Sequence, residues 1–425
     1  MTEACRTEYF LWLSTVCYPG SSLPKRLYLA FDGDMKRVYE TPGDRFSSIG
    51  CGAEECRRLD GKDFSAANRI LDYCAENRVT IITYDSPLYP ERLFSIDNPP
   101  PVLYAKGAIH RLREGPSVAA VGSRGCSEKG YRDMYTLCYR LAGSGVAIVT
   151  GLADGIDHAA ALAALDSGGL SIGVLGSGIN ILYPFESTDL FERMLKSGIM
   201  LTEFSPFTEP LARNFPIRNR VISALCDVCL VGEARSGSGA LITAKHAFLS
   251  GKKVFAVPGA LYDRRYEGTN FLLRNGALPV TRAEDISDGL AFSYPEVRSL
   301  KRRSPLPRVP AMPAQKEKKR GRKKAAPQSD GDLPFDGVTE SVLFSAERKS
   351  RPVVPQSNRS DEENRILSFL ANGEKTADML AADCGTDTAT VLTALTMLEI
   401  DGAVESLPGG AYRLAAAVPS DESDA

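Results

Sequence analysis

From Ser117 to about Leu290 the chain repeats one pattern, a short apolar run followed by an amphipathic segment. The runs are SVAAVG, GVAIVTG, SIGVLGSG, IMLTEF, VCLVGEA and KVFAVPG, separated by stretches such as KGYRDMYTLCYRLAGS and GIDHAAALAALDSG. A strand that is apolar throughout is buried on both faces. When such strands alternate with helices, the crossovers make the sheet parallel and lay helices on both sides of it. The pattern predicts an α/β core, a doubly wound, Rossmann-like parallel sheet.

The flanks divide differently. At 425 residues the chain exceeds one ordinary domain, and 43% apolar residues suffice for a sizeable core. Residues 1–85 read as a helical accessory domain, with patterns such as AANRILDYCAENRV. The core spans 86–294 and begins in a turn-rich stretch where Pro87, Pro90 and Pro99–Pro101 forbid a continuing helix. Residues 295–360 are rich in Pro, Lys, Arg and Ser and read as a basic, disordered linker. Residues 361–415 carry helical patterns, a turn at Gly385 and a Pro408–Gly410 hairpin, the signature of a winged helix. An acidic tail, 416–425, follows.

The net charge of -2 conceals a strong asymmetry. Residues 298–359 hold 16 basic and 6 acidic side chains, whereas 361–425 hold 3 basic and 13 acidic. The N-terminus has Glu3 and Glu8 where a signal peptide would be basic, and no apolar run approaches the ~20 residues that span a bilayer. Scattered cysteines fit free thiols in a reducing cytoplasm, and Cys226 and Cys229 read as buried thiols.

In open α/β sheets, ligands bind beyond the carboxyl ends of the strands. Here those ends carry small-residue turns: VGSRG with Gly122, Ser123 and Arg124, TGLADGIDH with Gly151 and Gly155, LGSGIN, and EARSGSG before a helix. Arg124 offers a guanidinium fork, and helix N-termini offer unpaired N–H groups to an anion. Each turn alone is weak and equally suits a surface loop. Four turns converging on one sheet edge point to phosphate binding.

Chemistry is not evident beside this grip. VGSRGCSEKG departs from G-x-G-x-x-G, no acidic residue ends the second strand, and no P-loop is present. His158 follows a capping Asp157, and His246 lies among apolar neighbours, so both read as structural. No nucleophile elbow and no metal-ligand spacing emerges, so neither catalytic residues nor a metal or cofactor are expected.

AVGSR, VTGLADGID, GSGINILYP, TEFSPFTEPLARNFPIRNRVIS and VGEARSGSGALITAKHA, in that order, resemble the DNA-processing protein A family, DprA or Smf. The resemblance covers about residues 85–290, and the winged-helix end fits the same layout. It implies an extended Rossmann-like core that forms homodimers, binds single-stranded DNA and loads RecA recombinase onto incoming strands in natural transformation. The family's DNA pocket would fall on Gly122, Ser123 and Arg124, with Asn214, Arg218, Asn219 and Arg220 beside it. Tyr183, with Pro184, and Ser238, Gly239 and Thr243 would line the rest. Phe185 and Glu186 stand where many relatives carry a basic residue, Ala161 stands where a histidine is usual, and Asp154 adds an acid beside the pocket.

Single-strand binders pair a basic groove with stacking faces. Arg124, Arg213, Arg218 and Arg220 supply charge; Tyr183, Phe185 and Phe215 are candidate platforms, each equally readable as core. Two other readings compete. A nucleotide-processing hydrolase of a related Rossmann group would need a P-G-G-x-G-T signature, and EARSGSGALITA lacks it. A transcription regulator would need a basic recognition helix, but TDTATVLTALTMLEIDG carries Asp387, Glu399 and Asp401 and no Lys or Arg.

Overall fold

Six of the strands lie where the apolar runs place them, but the sheet that they build is wider than those runs and not wholly parallel. The computed structural model describes residues 3–112, 115–184, 188–295, 297, 308–313, 361–371, 373–386, 388, 391, 392, 394, 395, 398, 403–407 and 411–414. The linker beyond residue 313, Phe185, Glu186, Asp387, Glu399, Asp401, the Pro408–Gly410 hairpin and the acidic tail lie outside the described residues.

The larger unit, Met1–Arg45 with Glu54–Phe335, holds the main sheet. Its strands are β1 (Thr80–Thr83), β2 (Val102–Gly107), β3 (Ser117–Val121), β4 (Ala147–Thr150), β5 (Ser171–Val174), β6 (Ile199–Thr202), β7 (Val228–Val231), β8 (Lys253–Ala256) and β9 (Leu278–Pro279). They run in the order β1-β2-β6-β5-β4-β3-β7-β8-β9. From β6 through β9 every pairing is parallel, whereas β2 is antiparallel to both β1 and β6. Of the antiparallel edge, β1 falls at the end of the stretch read as helical, residues 1–85, and β2 in the turn-rich, proline-bearing stretch; neither has an alternation long enough to read as strand. Two tyrosines fix that stretch: Tyr84 donates to the Pro99 carbonyl at 2.6 Å and Tyr89 to Pro100 at 2.7 Å.

Ahead of β1 come the helices α1 (Glu3–Val16), α2 (Leu23–Ala30), α3 (Met35–Glu40), α4 (Ala53–Leu59) and α5 (Ser65–Glu76). Aromatic rings join several of them. Tyr39 stacks on Phe64 at 4.4 Å, and the buried Trp12 indole donates to the Gly61 carbonyl at 2.8 Å. The remaining helices of this unit are α6 (Glu91–Phe94), α7 (Glu128–Gly143), α8 (Ile156–Asp166), α9 (Thr188–Ser197), α10 (Asn214–Ala224), α11 (Gly239–Leu249), α12 (Glu267–Arg274) and α13 (Glu284–Ala291).

Strands β3, β5, β6 and β7 are buried at every position, as their unbroken apolar runs require. Val118, Ala120, Ile148 and Leu230 share one apolar cluster with α7 and α8. Their alternates Ala119, Val121 and Cys229 point the other way and are equally buried. Chain order steps outward from β3 through β4, β5 and β6, then returns to place β7 on β3's other side. That reversal is a switch point, where the loops beyond the strands' carboxyl ends diverge and leave a crevice.

The smaller unit, Phe46–Ala53 with Asp336–Ala425, contains α14 (Asp361–Leu370), α15 (Ala377–Cys384) and an antiparallel sheet of β10 (Lys375–Thr376), β11 (Val404–Ser406) and β12 (Ala411–Leu414). Thr376 caps α15 at one end, and Gly385 at φ +66° closes the other in the left-handed conformation. Ile366, Leu370, Leu380 and Leu395 fill its core.

Candidate nucleic-acid interface

The turns at the switch point are tied together by their own backbone. Ser123 donates its N–H to the Glu233 carbonyl at 2.7 Å, and its carbonyl accepts from Ile156 at 3.2 Å. The ends of β3, β4 and β7 therefore form one rigid rim. Glu233, itself buried, accepts from the Ser127 N–H at 3.0 Å and organises the start of α7.

Helix α10 holds this rim from within. The sequence reading expected Arg218 and Arg220 to reach a phosphate, but the structure commits both guanidiniums inside the protein. Arg218 is 5% exposed. Its Nη1 donates to the carbonyls of Gly151 at 2.8 Å and Val174 at 2.5 Å, and its Nε to Asn219 Oδ1 at 3.1 Å. The guanidinium lies so close over Gly151 that any β-carbon there would collide with it. Arg220 is 6% exposed and paired with the buried Glu203 carboxylate. Asn214 donates to the Gly176 and Glu209 carbonyls, and Asn219 to Gly239. Thr243 is buried as well. A helix whose polar side chains face carbonyl-rich loop ends must satisfy those carbonyls, and nothing in FPIRNR distinguishes that duty from ligand contact.

The residues that do face solvent are Arg124, Tyr183, Arg213 and Gly239, with Gly122, Ser123 and Ser238 half-buried. Ser238 also caps α11 through the Ala240 N–H. The Arg124 guanidinium lies 5.1 Å from the Phe215 ring centroid and 6.0 Å from that of Tyr183, which is 38% exposed. Phe215 and Tyr183 are 5.6 Å apart, and Arg218 approaches Phe215 at 5.7 Å. The Phe215 ring thus sits near a buried and an exposed guanidinium, both within cation–π range. Arg124, Gly151, Ala153, Asp154, Tyr183 and Phe215 line a small hollow here.

Charge beneath the hollow is balanced. Asp157 accepts from the Gly151 N–H at 3.0 Å, and burial pushes its carboxyl up to about 6 against the pull of Arg218. Burial lowers Arg218 in turn. His158 bonds the Tyr131 hydroxyl at 2.9 Å and is lowered by burial, as a packed core histidine would be. A larger cavity of about 530 Å³ lies beside the first turn of α7. Its cations are already paired, Lys129 with Asp133 and Arg265 with Asp263, so it offers an anion little. The sequence reading took Asp157 as a helix cap, but Gly155 stands at the cap of α8 and Asp157 serves the Gly151 N–H instead; Glu233 was missed as an organiser, because a carboxylate serving the backbone of a distant loop has no motif of its own.

The sequence profile described as DNA recombination-mediator protein A matches residues 80–291, and the one described as DprA winged helix domain matches 350–410. The chain is 38% identical over 222 residues to the DNA processing protein DprA of Bacillus subtilis, covering 52% of this chain and 75% of that protein. It is 34% identical over 335 residues to the protein Smf of Escherichia coli, 79% and 77% of the two chains. Among solved structures, DNA processing protein A of Streptococcus pneumoniae superposes with a TM-score of 0.59 at 30% identity, covering 67% of this chain and 98% of that one.

Proposed function

The chain belongs to the DNA recombination-mediator protein A family, and from that membership we propose that it grips single-stranded DNA along the carboxyl edge of its main sheet and hands the strand to RecA recombinase. In this reading it protects incoming DNA in natural transformation, works in the cytoplasm as a homodimer, and binds without cleaving or forming a bond. The observation that supports it is Arg124, an exposed guanidinium poised over two aromatic faces at the switch point. A guanidinium holds a phosphate by paired hydrogen bonds, and an adjacent ring stacks a base of any sequence, which is what sequence-tolerant single-strand binding needs.

Arg124, Tyr183, Ser123, Ser238 and Gly239 make the contact in this account. Asn214, Arg218, Asn219, Arg220 and Thr243 hold the loops that present them. Titration with single- and double-stranded oligonucleotides of one sequence at several salt concentrations tests the proposal. Tight, salt-sensitive binding of the single strand with weak competition by the duplex is expected; equal preference for the duplex overturns it.

A further inference from the structure

The loop after β6 carries a feature that the rim described above does not use. Phe207 has φ +69°, a conformation that bulky side chains avoid, yet its ring is 64% exposed. Strain of this kind persists only where the surroundings enforce it, and it gathers at sites of function.

Here the enforcement is visible. The Phe207 N–H donates to Asn180 Oδ1 at 2.7 Å, and the Gly178 N–H to the Thr208 carbonyl at 2.8 Å. Thr208 is bonded to the Ser205 carbonyl through both its N–H and its hydroxyl. A β-carbon on Gly178 would stand within 2.9 Å of Ser205 O, Phe207 N and Thr208 N, so the β5 and β6 loops interlock with no room to spare. The ring's neighbour is half-buried Tyr73 of α5, edge-on at 4.7 Å. Exposed Arg69 lies one helical turn earlier on α5, on the same face.

This rigid ring belongs to the same edge as the candidate interface. Asn180, which pins Phe207, is three residues before Tyr183, so chain reach keeps the two rings within roughly 25 Å. We propose that Phe207, backed by Tyr73, is a second base-stacking platform, and that the strand runs from Arg124 past Tyr183 across the β5 and β6 ends to α5. The ligand is an unstacked base of single-stranded nucleic acid. A ring already immobilised stacks without paying side-chain entropy on binding. The inference rests on the single-strand reading above and extends its path.

The test compares wild type, Phe207→Ala, Phe207→Trp and Arg124→Ala with oligothymidines of about 2 nucleotides, too short to reach both rings, and about 20 nucleotides. Phe207→Ala should weaken the long oligomer about tenfold, leave the short one unchanged and keep the salt slope, because it removes stacking but no charge. Phe207→Trp should bind as wild type, and its added emission, measured against the buried Trp12 of the wild type, should be quenched by the long oligomer alone. If Phe207→Ala loses thermal stability but binds the long oligomer normally, or the added emission of Phe207→Trp ignores that oligomer, the ring merely joins α5 to the sheet and the proposal falls. Loss of binding in Arg124→Ala alongside that result leaves the parent reading standing; no binding by wild type sinks both.

Discussion

The Arg218 guanidinium and the Gly151 carbonyl are joined by a 2.8 Å hydrogen bond, at a glycine where no side chain would fit beneath the arginine. The same nitrogen reaches the Val174 carbonyl, so one buried cation ties the ends of β4 and β5. Arg218→Ala would leave both carbonyls and Asp157 without it. The expected cost is on the order of 3 kcal/mol, read as a lower denaturation midpoint at unchanged m-value. Any loss of DNA affinity should come with an unaltered salt slope if the guanidinium serves only these carbonyls.

Arg220 and Glu203 form a buried pair, so removing one charge strands the other. Arg220→Ala should destabilise by about 3–5 kcal/mol. The double variant Glu203→Gln with Arg220→Met should recover most of this, as replacing both members of a buried pair often does. Additive losses in a double-mutant cycle would contradict the pairing.

Two histidines contribute to the acid response. His246 is lowered to about 4, by burial first and then by Lys245 and Arg220, and burial lowers His158 too. Both stay neutral in the folded chain while the unfolded chain takes up protons below about 6.5, so their effect is lost stability as pH falls from there toward 4. Asp157 acts oppositely: its raised carboxyl holds a proton between about 4 and 6 that the unfolded chain has released, so stability from this group rises as pH falls. His246→Gln should shrink the drop in urea midpoint between pH 7 and 5; an unchanged drop would exclude the histidine.

Removing residues 361–425, with 3 basic and 13 acidic side chains, should leave single-strand affinity intact or raise it. A large loss on deletion would show that the winged helix itself grips DNA.

The core of this architecture was plain in the sequence because a strand buried on both faces must be apolar throughout, and six such runs separated by amphipathic segments admit few folds. Strands β1 and β2 were not legible, for β1 is four residues directly after a helical pattern and prolines crowd β2, and their place is set by the long-range bonds of Tyr84 and Tyr89. At the rim, GSR marked an exposed arginine, but RNR looked the same on paper while folding inward. Whether an arginine serves a ligand or a carbonyl is decided by burial, which a helix start does not reveal. Phe207 escaped notice because positive φ in a non-glycine residue leaves no trace in composition.

The most direct test of the central claim is the salt dependence of single-strand binding by Arg124→Ala beside Arg218→Ala. Four salt concentrations between about 50 and 300 mM give the log–log slope for each. Arg124→Ala should weaken binding by roughly 1–3 kcal/mol and flatten the slope by about 0.7, one lost phosphate contact. Arg218→Ala should keep the wild-type slope. An unchanged affinity and slope in a folded Arg124→Ala protein, or a flattened slope in Arg218→Ala, would contradict the account.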